Sequence, residues 1–200
     1  YKNLSIYTRP TFSTLLVDIA NNRSEDFSFP EQKGMGFKGF LNCNARYAMR
    51  EALSRLNSVD MDISFNPSWS GPSQVGSSIQ EDYISLMLNN AISLCPRGSG
   101  IDSVRLYETC YYNRVPVLIS DYDYCMVEED EYDTSFCFRI CSETLDLEYI
   151  TNSLQEIYDT PIAELESRAN DARKYFEDII RPYFQNPTLR LLEWLKKHER

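Results

Sequence analysis

The chain has 200 residues, enough for one ordinary domain or two small ones, and at 42% hydrophobic and 13% aromatic it can build a buried core. Thirty acidic against twenty basic residues give a net charge of −10, which repels nucleic acid and anionic lipid over most of the surface. A phosphate-bearing ligand therefore needs a local basic pocket, and no run approaches the roughly 18 apolar residues of a membrane span.

Residues 1–30 form a weakly patterned lead-in, with an amphipathic stretch from Phe12 to Ile19, a polar NNRSED run and then FSFP. The first residues lack the apolar core of a signal peptide. A start at Tyr1 reads as a trimmed product, so the expected setting is a soluble one, the cytoplasm, or the Golgi lumen if a leader or anchor has been removed. From Gly36 the pattern becomes regular. GFKGFL reads as a strand, and Asn44 to Asn57 as a helix, because Ala45, Met49, Ala52, Leu53 and Leu56 recur at helical spacing. Val59, Met61 and Ile63 alternate with polar residues, as in a strand with one exposed face. A Pro/Ser/Gly-rich loop from Asn66 to Ser77 precedes a helix whose Ser78 and Glu81 fit a capping box.

The stretch AISLCPRGSGIDSVRLYETCYYNRVPVLISD, from Ala91 to Asp121, is the most informative. An apolar strand, Ile92 to Cys95, breaks into a glycine loop, then a helix over Asp102 to Tyr112, then a strand over Val115 to Ile119. That is the layout of a nucleotide-phosphate site. Gly98, Ser99 and Gly100 let the backbone approach an anion, and Arg97 and Arg105 place positive charge on either side of the turn.

An acidic loop over 121–133 leads to a strand from Phe136 to Ile140 and a helix from Leu147 to Tyr158. Pro161 is tolerated in the first turn of a long helix whose Ile162, Leu165, Ala169, Ala172, Phe176, Ile179 and Tyr183 form one apolar stripe. Asn186 and Pro187 open a last helix containing Leu189, Leu192 and Leu195. The alternation predicts an α/β, Rossmann-like three-layer domain with a parallel sheet over 34–185, after a lead-in of 1–33 and before a terminal helix at 186–200.

The six cysteines, Cys43, Cys95, Cys110, Cys125, Cys137 and Cys141, show neither CxxC spacing nor the density of a disulfide scaffold. They read as mostly buried free thiols. Cys137 and Cys141 lie four apart, but the only histidine, His198, is remote in sequence, which argues against structural zinc.

Cys95-Pro96-Arg97-Gly98, followed by Ser103, Arg105 and Glu108 and then a strand ending in Ser120-Asp121, resembles the exostosin-like glycosyltransferases. FSFPE is similar, more weakly, to that family's D-x-x-I-P-P segment. GFKGFL with Arg46 and Arg50 is similar to its F-x-G strand and Arg-bearing helix. The sequence departs from the family pattern at Thr109, at Glu31 and after the Ser-Asp pair.

The resemblance implies the C-terminal half of a GT-B enzyme, in which two Rossmann-like domains face each other and the C-terminal one binds the nucleotide-sugar donor. It implies inverting transfer from a nucleoside diphosphate sugar, a UDP-sugar by expectation, to a glycan acceptor, with the nucleotide sugar as co-substrate and no further cofactor or metal. Arg97 and Arg105 are expected at the diphosphate, with Gly98, Gly100 and Ser103 in the loop and helix start, Arg46 reaching across the cleft, and Glu108 holding the ribose. Arg50 is expected as an ordinary surface residue. No residue stands out as the general base, which is expected on the acceptor-facing side. An acceptor domain needs on the order of 100 residues, so that half is expected outside this chain.

Each role has a plainer counterpart: a surface ion pair for Arg97, an intrahelical pair between Arg105 and Glu108, and a solvated helix charge for Glu108. Asp102 as a helix cap competes for the same amides that would hold a phosphate. Two rival functions also remain. Asp121-Tyr122-Asp123 is a DxD sequence that could hold a divalent ion in a GT-A enzyme, although its acidic run continues as a solvated loop would. The other rival is a non-catalytic interaction module with a vestigial nucleotide pocket. A dinucleotide oxidoreductase is disfavoured by the incomplete Gly98-x-Gly100-x-x-Ser103 fingerprint.

Overall fold

The computed structural model describes residues 27–66, 78–98, 103–122 and 132–186. Five strands form one parallel sheet: β1 (Met35–Phe40), β2 (Met61–Asn66), β3 (Ile92–Pro96), β4 (Val115–Ser120) and β5 (Phe138–Cys141), in spatial order β2-β1-β3-β4-β5. Helices α1 (Asn44–Leu53), α2 (Ser78–Asn89), α3 (Val104–Tyr111), α4 (Leu147–Asp159) and α5 (Ile162–Tyr175) cover its two faces. This is the three-layer α/β arrangement that the sequence pattern predicts.

On one face Met35, Phe37, Leu94, Val117 and Ile119 pack against Met49 and Ala52 of α1 and Ile150 and Leu154 of α4. On the other, Leu118 packs with Leu86 and Met87 of α2, Leu106 and Cys110 of α3, and Tyr175 and Phe176. Because helices lie on both sides, β3 and β4 are buried at every residue, and their sequences are mostly apolar on both faces, with only Ser93 and Ser120 polar. Each fully buried aliphatic side chain there contributes about 1.5–3 kcal/mol relative to exposure.

Several boundaries differ from the sequence pattern. The first helix ends at Leu53, not Asn57, and Ser58 takes a left-handed φ of 60° that turns the chain into β2. The third begins at Val104, with Ser103 in the capping position. Phe136 precedes its strand and packs as a buried anchor. The long helix is broken by one π turn, Phe176–Ile180, before α6 (Arg181–Gln185). Pro182 explains the break, since it lacks an N–H and its ring crowds the preceding turn, which the wider π turn relieves. Ile162, counted in the apolar stripe, is 39% exposed in the first turn of α5. The predicted amphipathic stretch Phe12 to Ile19, the loop beyond Asn66 and the last helix from Pro187 onward lie outside the described residues.

Among the described cysteines none forms a disulfide: Cys95, Cys110 and Cys137 are buried, and Cys43 and Cys141 are half-buried. Burial pushes Cys95 up to about 11 and Cys137 up to about 12, so both stay protonated at neutral pH. No helix among the described residues is long and apolar enough to cross a membrane.

Arg114, 2% exposed, ties the helices to the sheet from the amino-terminal side of β4. Its guanidinium donates to the carbonyls of Met87 and Leu88 at the end of α2, to Tyr112 and Asn113 after α3, and to Ser28 of the lead-in, at 2.7–2.9 Å. It thus supplies donors to carbonyls that a helix end leaves unpaired. Burial lowers its pKa to about 10, which still leaves it cationic at neutral pH. Arg114→Met should destabilise the fold by about 3 kcal/mol or more in urea unfolding, because several buried carbonyls lose their donor together. Arg114→Lys should recover only part of that, and a loss below about 1 kcal/mol for the Met variant would contradict this role.

Candidate functional site

Strand β1 pairs with β2 along six residues, Met35 to Phe40, but with β3 only through Met35–Ile92 and Gly36–Ser93. Beyond that point β1 and β3 separate toward their carboxyl ends. The strand order also reverses here, since the chain leaves β1 toward β2 on one side and returns to β3 on the other. A crevice at such a reversal, outside the carboxyl ends of parallel strands, is where α/β sheets bind ligands.

Arg105, on the second residue of α3, reaches into this crevice. Its Nη2 donates to the carbonyl of Lys38 on β1, and its guanidinium lies 4.4 Å from the Phe37 ring centroid and 5.1 Å from that of Tyr83. Gly39 makes room for the Phe37 ring beside it, since a Cβ there would stand 2.8 Å from that ring. The other terminal nitrogen, Nη1, is buried and has no hydrogen-bond partner among the described residues. A buried charged donor left unmatched costs about 1–3 kcal/mol or more, so it demands an explanation.

Arg46, in the first turn of α1, also approaches this ring, 5.7 Å from the Phe37 centroid. Its Nε donates to the carbonyl of Arg97 at 3.1 Å, and its Nη1 to that of Phe40 at 2.6 Å. Burial first, and then repulsion from Arg105, pushes the Arg46 pKa below its usual value. Among the described residues, neither guanidinium has a carboxylate partner. Two mutually repelling cations thus lie at the strand reversal of a strongly acidic chain, a local patch of opposite sign.

Arg97, at the end of β3, is differently employed. Its Nε donates to Asp121 Oδ1 and its Nη2 to Asp121 Oδ2 at 2.7 Å, while Nη1 donates to the carbonyl of Gly98 at 3.0 Å. The pair is largely buried, at 11% and 13% side-chain exposure. Its backbone is anchored too, because Cys43 Sγ and Arg46 Nε both donate to its carbonyl. The bidentate bond raises the Arg97 pKa and holds the Asp121 carboxyl below its ordinary range. Both Asp121 oxygens are thereby engaged by a cation, and Asp123, the other half of the DxD sequence, lies outside the described residues.

Ser103 is 4% exposed at the head of α3 and makes no side-chain capping bond; Gly98 is half-buried, and Gly100 and Asp102 lie outside the described residues. Glu108 is not a solvated charge. It is 8% exposed, and its Oε2 accepts from the Tyr83 hydroxyl at 2.5 Å. Burial, with the Glu108 carboxylate beside it, pushes the Tyr83 phenol well above its ordinary range. Arg50 is exposed on α1, 5.5 Å from the Tyr47 ring, as a surface residue would be.

The structure therefore gathers Arg46, Arg97 and Arg105 at one crevice and places Glu108 behind Arg105. Sequence reasoning overlooked Tyr83, which packs against Arg105 and bonds Glu108, because a tyrosine within an amphipathic helix gives no signal of its own. It also overlooked Asp121 as the partner of Arg97, although both stand at the ends of adjacent strands. No protein-family model matches this chain, and no curated protein sequence does either.

With its pKa depressed by Arg97, Asp121 keeps this ion pair above the ordinary carboxylate range and loses it as the pH falls through the depressed value. In a carbon-detected NMR titration, the Asp121 carboxyl should titrate below the usual value of about 3.9 and return toward it in Arg97→Ala. An unchanged titration would contradict the bidentate pair.

Proposed function

We propose that this chain is the donor-binding domain of an inverting, metal-independent glycosyltransferase of exostosin-like, GT-B type. The observation that supports this reading is the Arg46–Arg105 pair, with its orphan buried Arg105 Nη1, at the β1/β3 reversal. A diphosphate there would satisfy the unmatched donor and relieve the repulsion between the two cations.

In such a reaction an acceptor hydroxyl oxygen attacks the anomeric carbon of the donor sugar from the face opposite the nucleotide. The bond from that carbon to the diphosphate oxygen breaks, and its electron pair leaves with the nucleoside diphosphate. Fixed guanidiniums favour this step because they meet the charge that develops on the leaving group without reorganising. The proton of the acceptor passes to a general base on the acceptor-facing side. Glu108 would accept the ribose hydroxyls. The expected donor is a UDP-sugar and the expected acceptor a glycan.

Titration with uridine diphosphate should raise the melting temperature, and the shift should persist with a chelator present. Arg105→Lys keeps a cation but removes Nη1, and should weaken calorimetric affinity about tenfold to a hundredfold, as loss of a charge-assisted hydrogen bond does. No shift in the parent chain, or an affinity unchanged by Arg105→Lys, would overturn the reading.

A further inference from the structure

Among the described residues, four large hydrophobic side chains stand exposed: Tyr47, Tyr122, Tyr149 and Ile162. Tyr122 differs from the others in its setting. It immediately follows Asp121 at the carboxyl end of β4, is 51% exposed, and its ring lies 5.0 Å from the Arg97 guanidinium carbon. That guanidinium is fixed at every nitrogen, by Asp121 and by the Gly98 carbonyl. The Tyr122 backbone is fixed as well, since its N–H donates to Ser120 Oγ at 3.0 Å. The result is an aromatic plane with a rigid cation at its back and solvent before it.

We propose that Tyr122 is the seat of the nucleobase, stacking the planar ring of a nucleoside diphosphate whose phosphates lie between Arg46 and Arg105. The assignment rests on the donor-binding reading above and adds to it a residue that selects the nucleoside over a bare diphosphate. Three observations favour this occupant. A ring held in one orientation loses little entropy when a second plane stacks on it. A cation behind the ring leaves the outer face as the available one. β4 is the strand next to β3 on the side away from β1, so Tyr122 at its carboxyl end flanks the same end of the sheet as the β1–β3 crevice. Stacking on an aromatic side chain is tolerant of base identity, so the platform would distinguish nucleotide from pyrophosphate more sharply than one base from another.

The test is calorimetric titration of the full 200-residue chain with uridine diphosphate and, separately, with pyrophosphate. The parent chain should bind the nucleotide more tightly than pyrophosphate. Tyr122→Ala should weaken the nucleotide about tenfold while leaving pyrophosphate unchanged, and Tyr122→Phe should preserve both. The unchanged pyrophosphate affinity also shows that the variant is folded and its crevice intact. Equal loss of both ligands, or no loss of the nucleotide, would overturn the platform while leaving the donor-binding reading standing. Failure of the parent chain to bind either ligand would overturn the donor-binding reading and the platform with it.

Discussion

The site depends on one constraint in the sheet: β1 and β3 are hydrogen-bonded through only two residue pairs and then part. Everything at the crevice follows from that opening. A fully paired β1–β3 ladder would already occupy the Lys38 carbonyl, and Arg105 would have no backbone acceptor there. Because the strands diverge, the carboxyl half of β1 finds its partners elsewhere: β2 on one side, and on the other the guanidinium of Arg105 at Lys38 and that of Arg46 at Phe40. Phe37 packs against both cations, and Gly39 leaves room for its ring.

Electrostatics then divides the three arginines into two kinds. Arg97 is saturated by Asp121 and the Gly98 carbonyl, and it serves as a fixed strut between the loops that follow β3 and β4. Arg46 and Arg105 are held by backbone carbonyls alone, which accept hydrogen bonds but do not neutralise charge. In a chain of net charge −10, this pair is a local reversal of sign that burial intensifies. Cations placed by main-chain acceptors keep their charge available to an incoming anion, whereas a carboxylate partner must first be displaced.

The architecture was largely legible in the sequence, because apolar runs of strand length alternated with helical spacing and glycine punctuation. Burial on both faces wrote itself into β3 and β4 as mostly apolar sequence without strand alternation. Boundaries were less legible where long-range packing decides them: the left-handed turn at Ser58 and the π turn before Pro182 depend on what the helices meet. The Arg/Gly loop and the Arg105-bearing helix were readable from spacing as a strand, a turn and a helix flanked by positive charge. What spacing could not reveal was pairing. Arg97 and Asp121 are 24 residues apart and meet only because β3 and β4 are neighbours, and Tyr83 reaches Glu108 only through the packing of α2 beside α3. The same limit hid the contrast between a satisfied Arg97 and an unsatisfied Arg105, since both read as loop-flanking positive charge.

The central claim is that the β1–β3 crevice holds a diphosphate on Arg46 and Arg105. A crystal structure of the chain soaked with uridine diphosphate tests it most directly, because it shows which nitrogen atoms the phosphate oxygens choose. The account predicts a phosphate oxygen within hydrogen-bond distance of Arg105 Nη1, with the Arg97–Asp121 pair intact. A diphosphate bound elsewhere, or one that leaves Arg105 Nη1 unpartnered, would contradict it.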